Sequence, residues 1–183
     1  MYDKCELTML VKQASTVAEA LEPTMLANAR RHPDWPRWEG SIHEELDTLE
    51  KVGTWELIDP LPNTNIVGSK WVFHAKKDAA GNIMHYKARL VTQGFSQVPG
   101  IDYFNTYTPI TKLASIWTVL AHTVCQNLKL HQIDIKGTYL NGKLNANEVI
   151  YMRQLPGYTD PNYPHQVCCL CKTLYGLKQS GHH

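Results

Sequence analysis

Residues 70–77 and 83–93 constrain the fold of this chain more than any other stretch. Both are extended runs rich in β-branched and aromatic residues, and Asp78-Ala79-Ala80-Gly81-Asn82 breaks them with two residues that tolerate positive φ. The pair therefore predicts a β-hairpin. In its second run Met84, Tyr86, Ala88 and Leu90 alternate with His85, Lys87 and Arg89, so the two-residue period of a strand puts both cations on one face. Five Lys or Arg (70, 76, 77, 87, 89) against the single acid Asp78 make this stretch a local basic patch. On pattern alone a solvated sheet surface is the better reading of such a face, because exposed lysines are ordinary.

The flanking segments add helices. From Asp34, a candidate cap with Pro36 in the first turn, Trp35, Trp38, Ile42, Leu46 and Leu49 recur at three- and four-residue steps up to Gly53, predicting an amphipathic helix. Residues 57–68, with prolines, glycine and asparagines, read as a loop after a short strand. Leu113, Ile116, Trp117, Leu120, Ala121 and Val124 give the cleanest helical periodicity in the chain. Cys125 falls on that helix and is expected to be a small core residue. A strand over about 128–135, a turn at 137–142 and an extended run over 149–155 complete the pattern. Helices, a hairpin and strands mix without repeats, so the fold class is α+β. Residues 1–21 carry only weak helical patterning and are expected to form a weakly structured extension before a domain spanning 22–183.

Overall charge narrows the function little. Lys and Arg number 18 against 17 Asp and Glu, so any nucleic-acid surface must be local. An odd number of cysteines, five, and no secretory leader pattern point to a reducing, intracellular setting, cytoplasmic or nuclear. No apolar run approaches the roughly 20 residues that cross a bilayer, so no membrane partner is expected. His165, Cys168, Cys169 and Cys171 superficially resemble a zinc cluster, but structural zinc prefers paired ligands in two separated knuckles and no second knuckle is present. No Walker loop, dinucleotide fingerprint or Ser-His-Asp order occurs.

Asp134 is the most suggestive single residue. It closes the expected strand and precedes Ile135-Lys136-Gly137-Thr138-Tyr139, a setting that can offer a carboxylate to a hard cation and backbone N–H groups to phosphate oxygens. On spacing alone, a solvated Asp at a strand end is the better reading.

Many short blocks taken in order say more. Gly53-Thr54-Trp55-Glu56-Leu57, Gly68-Ser69-Lys70-Trp71-Val72-Phe73, Tyr86-Lys87-Ala88-Arg89-Leu90-Val91, Gly94-Phe95-Ser96-Gln97 and Gly100-Ile101-Asp102-Tyr103 resemble copia-type retrotransposon reverse transcriptases. The match continues through Thr108-Pro109-Ile110, His131-Gln132-Ile133-Asp134-Ile135-Lys136, Tyr139-Leu140-Asn141-Gly142, Val149-Ile150-Tyr151-Met152, Pro156-Gly157-Tyr158 and Leu174-Tyr175-Gly176-Leu177-Lys178-Gln179-Ser180. It runs from about Glu22 to Ser180.

The resemblance implies the fingers and part of the palm of a right-hand polymerase, with a mixed, mainly antiparallel sheet packed on helices. It implies RNA template, RNA/DNA hybrid and deoxynucleoside triphosphate as partners, and Mg2+ as cofactor. Asp134 would be the first catalytic aspartate and, with the carbonyl of Ile135, a metal ligand. Lys77, Lys87 and Arg89 would neutralise the triphosphate, and the N–H groups of Gly137 and Thr138 would face it. Tyr139 would close against the ribose, and Tyr175 and Gly176 would form a second nucleotide-binding segment. All are expected to meet on one concave surface between hairpin and central sheet.

The family usually has Ser or Thr followed by Ala where this chain has Gly137 and Thr138, so a looser turn is expected. The sequence reaches Gly181-His182-His183 without the motif of two adjacent aspartates. That absence implies a truncated polymerase, inactive alone unless Asp102, Glu148 or another chain completes the metal site. The rival readings are a non-catalytic RNA or RNA/DNA-binding remnant and a functionless pseudogene product.

Overall fold

The computed structural model describes residues 22–183 except 63, 136 and 146. The expectation for residues 1–21 lies outside the described residues. A short helix α1 (Leu26–Arg30) leads into α2 (Trp35–Val52), which has Pro36 in its first turn. Asp34 occupies the cap position without a side-chain cap bond. Gly53 ends the helix in the left-handed conformation at φ 67°, and the N–H and hydroxyl of Thr54 both donate to the Leu49 carbonyl. Trp38, Ile42 and Leu49 on its apolar stripe are fully buried.

That stripe packs on the hairpin. β3 (Ser69–Lys77) and β4 (Ile83–Thr92) pair antiparallel with Trp71 opposite Leu90 and Phe73 opposite Ala88, and these four side chains lie in the core. The Trp38 ring meets Phe73 at 5.4 Å and Tyr86 at 4.6 Å, both edge to face. At the tip, the Asp78 carboxylate accepts from the backbone N–H groups of Ala80 and Asn82 and from the Asn82 side chain, and Gly81 takes φ 88°. The register shifts between Lys76 and Lys77, a bulge that re-aims the end of β3.

A second, mixed sheet holds β1 (Trp55–Ile58), β2 (Ile66–Val67), β5 (Tyr151–Met152) and β6 (Val167–Leu170) in the order β1-β6-β5-β2. β6 runs antiparallel to both neighbours, whereas β2 is parallel to β5. The mixed α+β class and the mainly antiparallel sheet agree with the sequence pattern. A buried polar tie fixes the C-terminal segment: Gln97 donates to the Gln179 side chain, Gln179 donates to the Asp102 carbonyl, and the Lys178 N–H donates to Gln97.

Four sequence expectations need correction. Residues 57–68 contain β2, which exists because β5 offers it a ladder. Of residues 149–155 only Tyr151 and Met152 are in a strand. Residues 128–135 form no strand, because a strand needs a hydrogen-bonded neighbour and none lies beside them among the described residues. The helix α3 (Leu113–Cys125) forms where its periodicity places it, but none of its residues is buried, and Cys125 is exposed instead of lying in the core. Apolar spacing sets a helix's stripe; burial also requires something to pack upon it. Among the described residues no helix is long and apolar enough to cross a membrane.

Candidate functional site

A cleft of about 810 Å³ opens between α2, β4 and a one-turn helix α4 (Thr138–Asn141). One face of α2 supplies Ser41, Glu44, Glu45 and Thr48, at the spacing of a helical stripe. β4 supplies Lys87 and Arg89, which share a face because Ala88 and Leu90 between and beside them point into the core. The third wall is Asp134, Ile135, Gly137, Thr138 and Tyr139, held down by buried Leu140, with Tyr175 beside it.

Aromatic contacts organise the basic side. The Arg89 guanidinium lies 5.6 Å from the centre of the Tyr175 ring, and Tyr175 meets Tyr139 at 5.6 Å, edge to face. Arg89 Nε is buried without a hydrogen-bond acceptor. Among the described residues, the ion pairs within 4.0 Å all involve histidine, so neither Lys87 nor Arg89 has a carboxylate in contact. Burial raises the Glu45 carboxyl above its ordinary range, opposed by the Leu90 N–H and by the charges of Lys87 and Arg89.

The turn after Asp134 is glycine-dependent. Gly137 caps α4 at φ 63°, a conformation that L side chains rarely adopt. Glycine here permits a defined left-handed turn where a looser one was expected. Thr138 uses its hydroxyl to donate to the Ile135 carbonyl at 2.8 Å, which draws it away from the cleft centre.

The structure thus brings together Lys87, Arg89, Asp134, Ile135, Gly137, Thr138, Tyr139 and Tyr175. The cleft lies against α2, where the sequence suggested the central sheet. Lys77 does not line it; Lys76 does, because it lies opposite His85 in the same register that sets His74 opposite Lys87 and Val72 opposite Arg89. Gly176 does not line it either. It stands at φ 91° where a Cβ would come 2.2 Å from the Thr92 carbonyl oxygen, so it lets the Tyr175 segment lie against β4. Sequence reading missed Lys76, His85, Glu44 and Glu45; the only signal for the two acids was their place on the polar face of α2.

The acids suggested as substitutes for a missing aspartate are elsewhere. Asp102 accepts from the Val98 N–H and from Asn65, and Glu148 is bound by Asn145 and His183. Among the described residues no three His, Cys, Asp or Glu are grouped to hold a metal ion. Cys168 and Cys169 are neighbours on β6 and so face opposite sides of its sheet. Of the expected metal ligands, Asp134 and Ile135 both line the cleft, and the Ile135 carbonyl accepts from the Thr138 hydroxyl.

Comparison with known proteins gives the family. The family model described as "Reverse transcriptase (RNA-dependent DNA polymerase)" matches residues 52–183, and the chain belongs to that family. Within it, the chain is copia-type retrotransposon sequence. It is 37% identical over 90% of its length to the retrovirus-related Pol polyprotein from transposon TNT 1-94 of Nicotiana tabacum. It is 39% identical over 79% of its length to that of transposon RE1 of Arabidopsis thaliana. These alignments cover 12% and 10% of those relatives, so the chain spans about a tenth of their length. An uncharacterized mitochondrial protein of Arabidopsis thaliana is 40% identical over 61% of this chain and 62% of its own. No solved structure matches.

Proposed function

We propose that the cleft is the incoming-nucleotide site of a retrotransposon RNA-directed DNA polymerase, with the β3–β4 hairpin as fingers and the segment around Asp134 as the start of the palm. The observation that carries this is the meeting of Lys87 and Arg89 with Asp134, Gly137 and Tyr139 on one cleft, where neither cation has a carboxylate in contact among the described residues. Arg89 and Lys87 would hold the polyphosphate through charge-assisted hydrogen bonds. Lys76 would take the role expected of Lys77. Tyr139 would bear on the ribose, and Tyr175 would keep Arg89 oriented. Asp134 with the Ile135 carbonyl would hold a magnesium ion, which when bound supplies charge neutralisation at the phosphates. Template RNA or RNA/DNA hybrid would lie along the hairpin, contacted mostly through phosphates and therefore without strong sequence preference.

Titration of the chain with a deoxynucleoside triphosphate and with a short RNA/DNA hybrid at several salt concentrations tests this. Binding of both should weaken steeply with salt, and the double variant Lys87→Ala/Arg89→Ala should bind less tightly with a shallower slope. Binding that ignores the double change would place the ligands on another surface and end the proposal.

A further inference from the structure

We propose that Glu45 is a specificity-determining residue of this cleft: an internal counter-anion to Lys87 and Arg89 that weakens binding of a free polyphosphate and favours one whose charge a cation already offsets. This rests on the polyphosphate reading given above.

Glu45 sits midway along α2 and reaches the open edge of β4, where its Oε1 accepts from the Leu90 N–H at 3.4 Å. That backbone donor holds the carboxylate beside the two cations instead of leaving it to swing into water. Lys87 and Arg89 both act on its charge, but neither touches it within 4.0 Å among the described residues. Both cations therefore keep their hydrogen-bond donors free while the field they project is reduced. Among the described residues that line the cleft, Lys76, Lys87 and Arg89 stand against Glu44, Glu45 and Asp134. A site built only to attract anions would not carry three carboxylates. A free triphosphate meets those carboxylates with its full charge, whereas its magnesium complex meets them with much of that charge cancelled. Glu45 is the acid best placed to discriminate, because it is partly buried and its influence on Lys87 and Arg89 is less screened than that of exposed Glu44.

The test measures binding of inorganic triphosphate, with and without magnesium, at low ionic strength. Glu45→Gln should bind free triphosphate about 3- to 10-fold tighter than the native chain, the effect of one charge at a partly screened distance. Its gain on adding magnesium should shrink accordingly. Glu45→Asp, which keeps the charge, should stay close to native, and Glu50→Gln, one carboxylate fewer outside the cleft, should also match native. Unchanged or weaker binding by Glu45→Gln, or equal tightening by Glu45→Asp, overturns the role of Glu45 while leaving the site itself standing if Lys87→Ala/Arg89→Ala still loses binding. If the native chain and that double variant bind alike, or neither binds, the polyphosphate reading fails and this inference with it. Should Glu45→Gln not fold, the native chain decides: equal affinity for free and magnesium-bound triphosphate overturns the inference.

Discussion

At the scale of the residue, Cys125, Cys168 and Cys171 should behave as different reagents. Cys168 points into the core and burial pushes its thiol up to about 12, so almost none of it is thiolate at neutral pH. Cys171 and Cys125 are exposed. Burial and the nearby Glu56 raise Cys171 as well, but its sulfur remains within reach of solvent. Timed alkylation of the folded chain followed by mass mapping should label Cys125 and Cys171 well before Cys168, with the order erased in denaturant. Early labelling of Cys168 would mean that β6 opens. This ordering was not legible in the sequence. Cys125 sits on an apolar stripe that looks like core, and only the fold reveals that nothing covers it.

At the scale of the element, α2 and the hairpin stand or fall together. Trp38 is the contact that joins them, fully buried against Phe73 and Tyr86. Trp38→Ala should cost about 3–5 kcal/mol of stability, read as a lower midpoint in urea unfolding. Trp38→Phe should cost less, since it keeps a ring against both partners and removes an indole N–H that has no acceptor. A loss below about 1 kcal/mol for the alanine variant would show that the helix is not what positions β4. These two elements were readable from the sequence because their periodicities are local. The four-stranded sheet was not: Ile66 pairs with Tyr151 and Trp55 with Leu170, and no short-range pattern announces partners so distant. Half of the cleft shared this fate. Lys87 and Arg89 followed from strand alternation and Asp134 from resemblance, but Glu44 and Glu45 looked like an ordinary solvated helix face until β4 was placed beside them.

For the molecule as a whole, the proposed nucleotide site would hold a nucleotide more fully than it could join one to a primer. Asp134 is the cleft's one carboxylate on the wall expected to hold metal, and no adjacent pair of aspartates occurs in these 183 residues. In-line nucleotidyl transfer depends on charge stabilisation by a properly caged metal pair. These residues made as a separate polypeptide should therefore extend no primer on RNA with magnesium and deoxynucleotides, and Asp134→Asn should look the same. Extension that vanishes in Asp134→Asn would show that the cleft completes its cage by some other route. The uncovered α3 has a consequence of a different kind. A helix of 13 residues with no buried side chain draws little support from its surroundings, and helices of that length are marginal in water by themselves. With no buried side chain on α3 and little packed on it among the described residues, these 183 residues made as a separate polypeptide should lose the α3 helix signal gradually on warming, before the cooperative transition of the rest, as followed by circular dichroism.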